Sequence, residues 1–215
     1  SPTTVKRFSL ELGGDAPVLV FKDADLDAAV ADIVGLKLAN AGQICVAPNR
    51  VFVQKAIYDT FIEKAKDLMQ SYRLLGEAGD GPELSPLCTE ASLQQMLEFC
   101  DPKMHGGTIV TGGKRADCSG YFLEPTLITD VDRDAKLTCE EIFGPIMPVM
   151  PFNDDEDIFA TANDTVYGLS AYVYTQSLSC ALEAEKRLEF GNILINEAYY
   201  SLQLPHGGLK QSGFG

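Results

Sequence analysis

The sequence predicts an α/β domain with a mostly parallel sheet flanked by helices. Short β-branched runs alternate along the chain with longer segments whose apolar residues recur at helical spacing. At 215 residues and 46% hydrophobic composition, the chain is long enough to bury one full core. No linker, internal repeat or low-complexity stretch interrupts the alternation, so we predict that residues 1–215 form a single domain.

The first half of the chain predicts strand–helix units in succession. Residues 8–12 form an apolar run that ends at Gly13-Gly14, and residues 17–21 form a second, β-branched strand. One aspartate of the segment Asp23-Ala24-Asp25-Leu26-Asp27 is predicted to cap a helix that stops near residues 40–42, where Asn and Gly are usual C-terminal residues. Further predictions are a strand at 50–54, a helix at 57–72, a surface loop at 76–86, a helix at 88–101 and a strand at 107–111.

The second half continues the same alternation with proline interruptions. Residues 122–131 are extended but contain Pro125, which predicts an edge strand or an arm instead of a central strand. Residues 146–152 are apolar but contain two prolines, and the pattern assigns them no element. The later predictions are a helix at 155–163, a strand at 170–175, a helix at 179–189 and a strand at 191–196.

Composition argues against several classes of function. The net charge of −14, from 17 basic and 31 acidic residues, disfavours nucleic acid and anionic membranes, because phosphate binding requires clustered Lys and Arg. No apolar run has the length of a membrane span, and the start of the sequence has no signal-peptide layout. Six scattered cysteines without a CxxC pair, beside two histidines, predict no metal site and a reducing, cytoplasmic compartment.

Cys45 is the candidate nucleophile. It follows a predicted helix end and precedes a predicted strand, a loop position where α/β folds place reactive groups. A thiol becomes reactive only with a lowered pKa or a nearby base. The competing interpretation is a small packing residue, and we assign the other five cysteines to that class.

Glu11 is the candidate base. It is a carboxylate within an apolar run just before Gly13-Gly14, where it must be exposed, paired or protonated. From the pattern alone, an outward-facing strand residue explains it equally well. His105 and His206 lie in glycine-rich loops, and we predict that both are exposed to solvent.

These residues belong to a set of motifs that resembles the catalytic domain of the aldehyde dehydrogenase superfamily. The motifs follow the family's order over nearly the whole chain: LELGG at 10–14, GQICVAPNR at 42–50, EEIFGP at 140–145, NDTVYGL at 163–169 and GGLKQSG at 207–213. The resemblance implies oxidation of an aldehyde in two steps. Cys45 attacks the carbonyl to form a thiohemiacetal, hydride passes to NAD or NADP, and Glu11 activates water to hydrolyse the resulting thioester.

The same resemblance implies further site residues. Glu141 corresponds to the residue that binds the nicotinamide ribose, Phe143 packs beside the ring, and Leu12 and Gly13 line the nicotinamide slot. The backbone N–H of Cys45 supplies half of an oxyanion hole, and burial of the Glu11 carboxyl raises its pKa toward working pH.

The family's catalytic domain normally follows a Rossmann-like domain that holds the cofactor, and no GxGxxG motif is present here. We therefore expect these residues to be a fragment that alone binds NAD(P) poorly and oxidises aldehydes little, and a homodimer or homotetramer at full length. The alternatives are an acylating dehydrogenase that releases its product to coenzyme A, which Glu11 disfavours, and a catalytically silent binding or assembly domain.

The general similarity, including Asn196-Glu197, favours the succinate-semialdehyde-dehydrogenase-like branch. Those enzymes place a carboxylate-binding arginine six residues before the nucleophile, and this position is Ala39 here. A cluster of bulky residues predicts a partly aromatic tunnel mouth suited to a neutral or aromatic aldehyde: Tyr199, Tyr200 and Leu204.

Overall fold

The computed structural model describes residues 3–199 and 203–214. In chain order the strands are β1 (Leu10–Glu11), β2 (Ala16–Val20), β3 (Pro48–Gln54), β4 (Arg73–Leu74), β5 (Glu83–Leu84), β6 (Thr108–Thr111), β7 (Thr126–Thr129), β8 (Ile146–Phe152), β9 (Ser170–Tyr174), β10 (Asn192–Ile195) and β11 (Gly213–Phe214). The α-helices are α1 (Leu26–Leu38), α2 (Tyr58–Gln70), α3 (Glu90–Phe99), α4 (Pro102–His105), α5 (Lys136–Cys139), α6 (Ile158–Asn163) and α7 (Leu178–Arg187). Short 3₁₀ helices cover Ala39–Gly42, Lys55–Ile57 and Lys210–Ser212.

A seven-stranded sheet organises the chain, with the strand order β10-β9-β2-β3-β8-β7-β6. Every neighbouring pair is parallel except β6 and β7, which are antiparallel. Strands β2, β3 and β9 are buried along their whole length, as the central strands of a covered sheet must be. The predicted α/β fold with a mostly parallel sheet flanked by helices is confirmed.

Helices cover both faces of this sheet. The chain crosses from β2 to β3 through α1 in one direction, and from β8 to β9 and β10 through α6 and α7 in the other. Right-handed crossovers place α1 on one face, and α6 and α7 on the opposite face. The contacts agree, since α1 packs against α2 while α6 packs against α7. No helix in the described part of the chain is long and apolar enough to cross a bilayer.

The first helix begins and ends as its sequence predicts. The side chain of Asp25 accepts a hydrogen bond from the N–H of Ala28 at 3.1 Å, which satisfies one free donor of the first turn. After α1 the chain enters the left-handed region at Asn40 and Ala41, with φ of 50° and 55°. These residues end the helix and turn the chain toward Cys45.

One prediction about strands is wrong, and one strand was not predicted. β7 is an interior strand between β8 and β6, and all four of its residues are buried. Pro125 precedes the strand instead of lying in it, so the strand keeps all of its N–H donors. β8 is interior as well, although it contains Pro148 and Pro151.

Smaller differences concern the short strands. The predicted loop at 76–86 contains β5, which pairs with β4. The predicted strand at 8–12 is reduced to β1, which pairs with β11 outside the main sheet. A two-residue ladder leaves no alternation long enough to recognise in the sequence.

Candidate active site

Cys45 lies in a turn directly before β3. The turn is closed by a hydrogen bond of 3.0 Å from the N–H of Ala47 to the carbonyl of Ile44. Gly13 and Gly14 precede β2, the neighbouring parallel strand. The candidate site is therefore at the amino ends of the central strands, whereas open α/β sheets usually bind ligands beyond the carboxyl ends. The general rule that favoured Cys45 applies to the opposite edge of the sheet.

Glycines allow three separate backbone segments to meet at this turn. A Cβ on Gly14 would lie 2.1 Å from the carbonyl oxygen of Cys45. A Cβ on Gly42, whose φ is +72°, would lie 2.2 Å from the carbonyl oxygen of Gly144. Gly14, Gly42 and Gly144 belong to three of the recognised motifs. The contacts give a physical reason for glycine in each motif.

Side chains hold the turn from two sides. The side-chain oxygen of Gln43 accepts the N–H of Cys88 at 2.9 Å, which fixes the residues just before Cys45. Tyr172, on the central strand β9, donates its hydroxyl proton to the carbonyl of Val46 at 2.8 Å. The thiol is thereby fixed relative to the sheet.

The thiol of Cys45 is partly buried, and its environment disfavours the thiolate. Burial raises the pKa of Cys45, and the negative charges of Glu141 and Glu11 raise it further. The backbone N–H groups of Cys45 and Val46 act in the opposite direction. The pKa of Cys45 is therefore not lowered, and the thiol needs a proton acceptor at the moment of reaction.

Glu11, the predicted acceptor, acts electrostatically on Cys45 but lacks the predicted burial. Its side chain is 40% exposed, so the apolar environment inferred from the sequence is wrong. Its Oε2 lies 3.3 Å from Nε2 of His206. The predicted solvent exposure of His206 is confirmed, and His206 also lines the same cavity as Cys45. His105, also predicted to be exposed, is fully buried.

Glu141 faces the diglycine turn. Its Oε1 accepts the N–H of Gly14 at 2.9 Å, and its Oε2 would lie 2.8 Å from a Cβ on Gly13. Burial raises the pKa of Glu141, while the Gly14 N–H and the charge of Lys37 lower it. Phe143 is exposed, with a left-handed φ of 53°, and Leu12 is also exposed. Carboxylate oxygens accept hydrogen bonds from hydroxyl groups, so Glu141 has the chemistry that the predicted ribose contact requires.

A buried polar chain that the sequence analysis missed supports this turn. Lys37, on α1, is fully buried and donates from Nζ to Oδ1 of Asn49 at 2.9 Å. Asn49 in turn donates from Nδ2 to the carbonyl of Gly14 at 3.2 Å. The only available signal was a lysine at an apolar position of the helical pattern.

Two further buried charged residues lie close to these polar side chains. Nε of Arg50 lies 2.8 Å from Oδ2 of Asp15, and both side chains are almost fully buried. Burial raises the pKa of Asp15 to about 6, and burial lowers the pKa of Lys37 to about 7. The attraction between the Lys37 ammonium group and the carboxylates of Asp15 and Glu141 opposes both of these pKa shifts.

A cavity of about 600 Å³ opens in front of Cys45. Its described lining combines apolar residues with two ionisable side chains besides the thiol, those of Glu197 and His206. The predicted mouth residues Tyr199 and Leu204 also line it, while Tyr200 lies outside the described residues. A larger cavity of about 930 Å³, beside Arg133, has neither Cys45 nor Glu11 in its described lining.

The remaining cysteines do not share this setting. Cys100 is buried and Cys180 partly buried, as packing residues should be. Cys88, Cys118 and Cys139 are exposed, so the packing interpretation is wrong for these three. Their exposure makes them internal references for the reactivity of Cys45.

Comparisons with known proteins identify the family to which the chain is related. The model of the aldehyde dehydrogenase family matches residues 1–215. Mitochondrial succinate-semialdehyde dehydrogenase of Arabidopsis thaliana is 43% identical over 99% of this chain and 40% of its own length. The succinate-semialdehyde dehydrogenase [NADP(+)] of Escherichia coli (strain K12) is 41% identical over 98% of this chain and 44% of its own length.

Among solved structures, an NAD+ complex of aldehyde dehydrogenase from Bacillus cereus superimposes with a TM-score of 0.92 at 35% identity. The match covers 98% of this chain and 43% of that one. The chain thus spans less than half the length of these relatives, while the family match takes in every residue. The chain belongs to the aldehyde dehydrogenase family.

Proposed function

We propose that this chain is the catalytic portion of an enzyme that oxidises an aldehyde to a carboxylate with NAD or NADP. The observation that carries the proposal is the convergence of one thiol and two carboxylates. Glu11 and Glu141 both act electrostatically on Cys45, although they lie far apart in the sequence. Family membership and the names of the relatives support the same conclusion.

Cys45 begins the reaction by adding its sulfur to the aldehyde carbonyl carbon. The thiol proton passes to Glu11, and the carbonyl oxygen becomes the oxyanion of a thiohemiacetal. The N–H of Cys45 lies within the turn that presents the sulfur, so it is placed to donate to that oxygen. Glu11 is suited to a second task, deprotonation of the water that attacks the thioester carbonyl carbon and expels the thiolate.

Glu141 and Gly13 form the binding surface for the cofactor. Bound NAD or NADP supplies the hydride acceptor for the oxidation. Glu141 accepts from the ribose hydroxyls, and the Gly14 N–H holds its carboxylate in place. The absence of a side chain at Gly13 leaves room for the Glu141 carboxylate, since a Cβ there would lie 2.8 Å from its Oε2.

Alkylation of Cys45 by iodoacetamide tests the role of Glu11. If Glu11 is the base, Cys45 reacts faster than the exposed Cys88 and Cys118 in the wild type, and Glu11→Gln slows Cys45 at least about tenfold. If Glu11 is only a fixed negative charge, Glu11→Gln lowers the pKa of Cys45 and accelerates its alkylation.

Mass spectrometry of tryptic peptides reads all three cysteines in one sample. Cys88 and Cys118 control for unfolding and for reagent concentration. A Cys45 that reacts no faster than these two, with or without Glu11, would remove the physical basis for the proposed nucleophile.

The described lining of the cavity suits an aldehyde without a terminal carboxylate. It includes Glu197 and no Lys or Arg, so a second carboxylate is repelled instead of bound. We expect phenylacetaldehyde to protect Cys45 from alkylation at lower concentration than succinate semialdehyde does. Ala39→Arg is expected to shift this preference toward succinate semialdehyde about tenfold. An unchanged ratio of the two protecting concentrations in that variant would contradict this assignment.

A further inference from the structure

His206 is the residue that the proposed reaction leaves unused. It lies in the loop directly before Gly207-Gly208 and lines the Cys45 cavity. Its Nε2 lies 3.3 Å from Oε2 of Glu11. The other carboxylate oxygen of Glu11 faces Gly207, 3.5 Å from the position of a Cβ there. His206 therefore contacts one oxygen of the candidate base, and Gly207 lies on the side of the other.

A base that accepts a proton must lose it again before the next turnover. Histidine is the side chain that ordinarily changes its charge between pH 5 and 8, which suits it to collect that proton. The side chain of His206 is 38% exposed, so a proton on its imidazole can leave to bulk water. Glu11 on β1 is its ion-pair partner, and three titratable residues line the cavity with it: Cys45, Glu197 and Tyr199.

A proton on His206 also changes the electrostatic environment of the Cys45 thiolate. Glu141 and Glu11 both disfavour the Cys45 thiolate. An imidazolium on the far side of Glu11 offsets part of that negative charge. Within the described lining of the cavity, His206 is the one basic side chain.

We propose that His206 is the proton acceptor behind Glu11, so that the thiol, the carboxylate and the imidazole form a relay. This inference rests on the proposed function of Cys45 and Glu11. In the first step the S–H bond of Cys45 breaks, the proton passes to a Glu11 oxygen, and the Glu11 proton passes to Nε2 of His206. The result is a thiolate, an ionised Glu11 and an imidazolium.

The hydrolytic step uses the same relay. Water oxygen bonds to the thioester carbonyl carbon while its proton moves through Glu11 to His206, and the C–S bond then breaks to release the carboxylic acid. The imidazolium returns its proton to solvent. His206 acts through Glu11 and is a positioning residue with respect to the substrate.

Three variants separate proton transfer from orientation. His206→Asn keeps an N–H that donates to Glu11 but cannot accept a proton. His206→Ala removes both functions and leaves space for added imidazole, and Glu11→Gln interrupts the relay in front of His206. The measurement is the rate of Cys45 alkylation by iodoacetamide at pH 7, divided by the rate of Cys88 in the same sample.

If the relay operates, His206→Asn and His206→Ala should slow the alkylation of Cys45 at least fivefold. Added imidazole should restore the Ala variant to within twofold of the wild type, without rescuing Glu11→Gln. An Asn variant with the wild-type rate, or an Ala variant that imidazole does not restore, overturns the relay. If Glu11→Gln slows Cys45 while the His206 variants do not, the relay fails and the proposed function stands. If none of the variants changes the rate, the proposed function fails as well.

Discussion

Replacement of Gly14 by alanine is expected to destabilise the chain by about 2–3 kcal/mol and to slow alkylation of Cys45 more than about tenfold. The added Cβ would lie 2.1 Å from the carbonyl oxygen of Cys45, far inside contact distance. That oxygen belongs to the backbone of a closed turn, so the clash cannot be relieved by rotation of a side chain. The turn must move, and the thiol moves with it. Urea unfolding and the alkylation rate measure the two effects.

Gly35→Ala is the matched control for this substitution. Gly35 lies within α1, and a Cβ there would meet nothing within 4 Å. Because glycine weakens a helix interior, the free energy of unfolding of this variant should rise by up to about 1 kcal/mol. The reactivity of Cys45 should stay at the wild-type level. Equal behaviour of the two variants would mean that the approach of Gly14 to Cys45 does not constrain the turn.

The fold was predictable where local patterns and tertiary packing agree. The helix capped by Asp25 and the buried strand β2 follow from short-range rules, and both occur within a few residues of their predicted bounds. The interior position of β7 was not predictable, because it depends on which strands approach from elsewhere in the chain. A proline close to a strand was mistaken for one inside it.

The site shows the same division between local and long-range information. Motif resemblance predicted Cys45, Glu11 and Glu141 as site residues, and in the structure the charges of Glu11 and Glu141 both act on the Cys45 thiol. The predicted environment of Glu11 was wrong because a carboxylate in an apolar run was taken as buried. Its side chain is instead partly exposed, and its partner, His206, comes from a loop almost 200 residues later in the sequence. Contacts of that sequence separation leave no periodic signal in a single chain.

Lys37 carries the second large expected effect, which appears in the pH dependence of stability. Burial lowers its pKa to about 7 in the folded state, against an ordinary value of 10.5 in the unfolded chain. Between these values the unfolded state holds the proton and the folded state does not, so the free energy of unfolding rises with pH. The cost of the buried ammonium group is fully present below pH 7 and is relieved above it. Between pH 7 and 8.5, the free energy of unfolding of the wild type should therefore rise by about 1.5 kcal/mol more than that of Lys37→Met.

The chosen window separates Lys37 from the other buried groups. Burial raises the pKa of Asp15 to about 6, so the cost of its charge is fully present above that pH and changes little from 7 to 8.5. The pKa values of Cys45, Cys100 and Cys180 are raised in the folded state, so these thiols lower the free energy of unfolding as the pH rises. Their effect appears only near and above the ordinary thiol pKa of 9.0.

The comparison with Lys37→Met also removes effects that do not depend on pH. The methionine leaves Oδ1 of Asn49 without its donor, which shifts the stability by a constant amount across the window. Lys22→Met is the control, since Lys22 is exposed and pairs with Asp154 on the surface. Urea unfolding at pH 7, 7.75 and 8.5 should give parallel curves for wild type and Lys22→Met, and a smaller rise for Lys37→Met. If Lys37→Met rises as steeply as the wild type, Lys37 does not titrate in this window, and its contact with Asn49 is the whole of its contribution to the Gly14 turn.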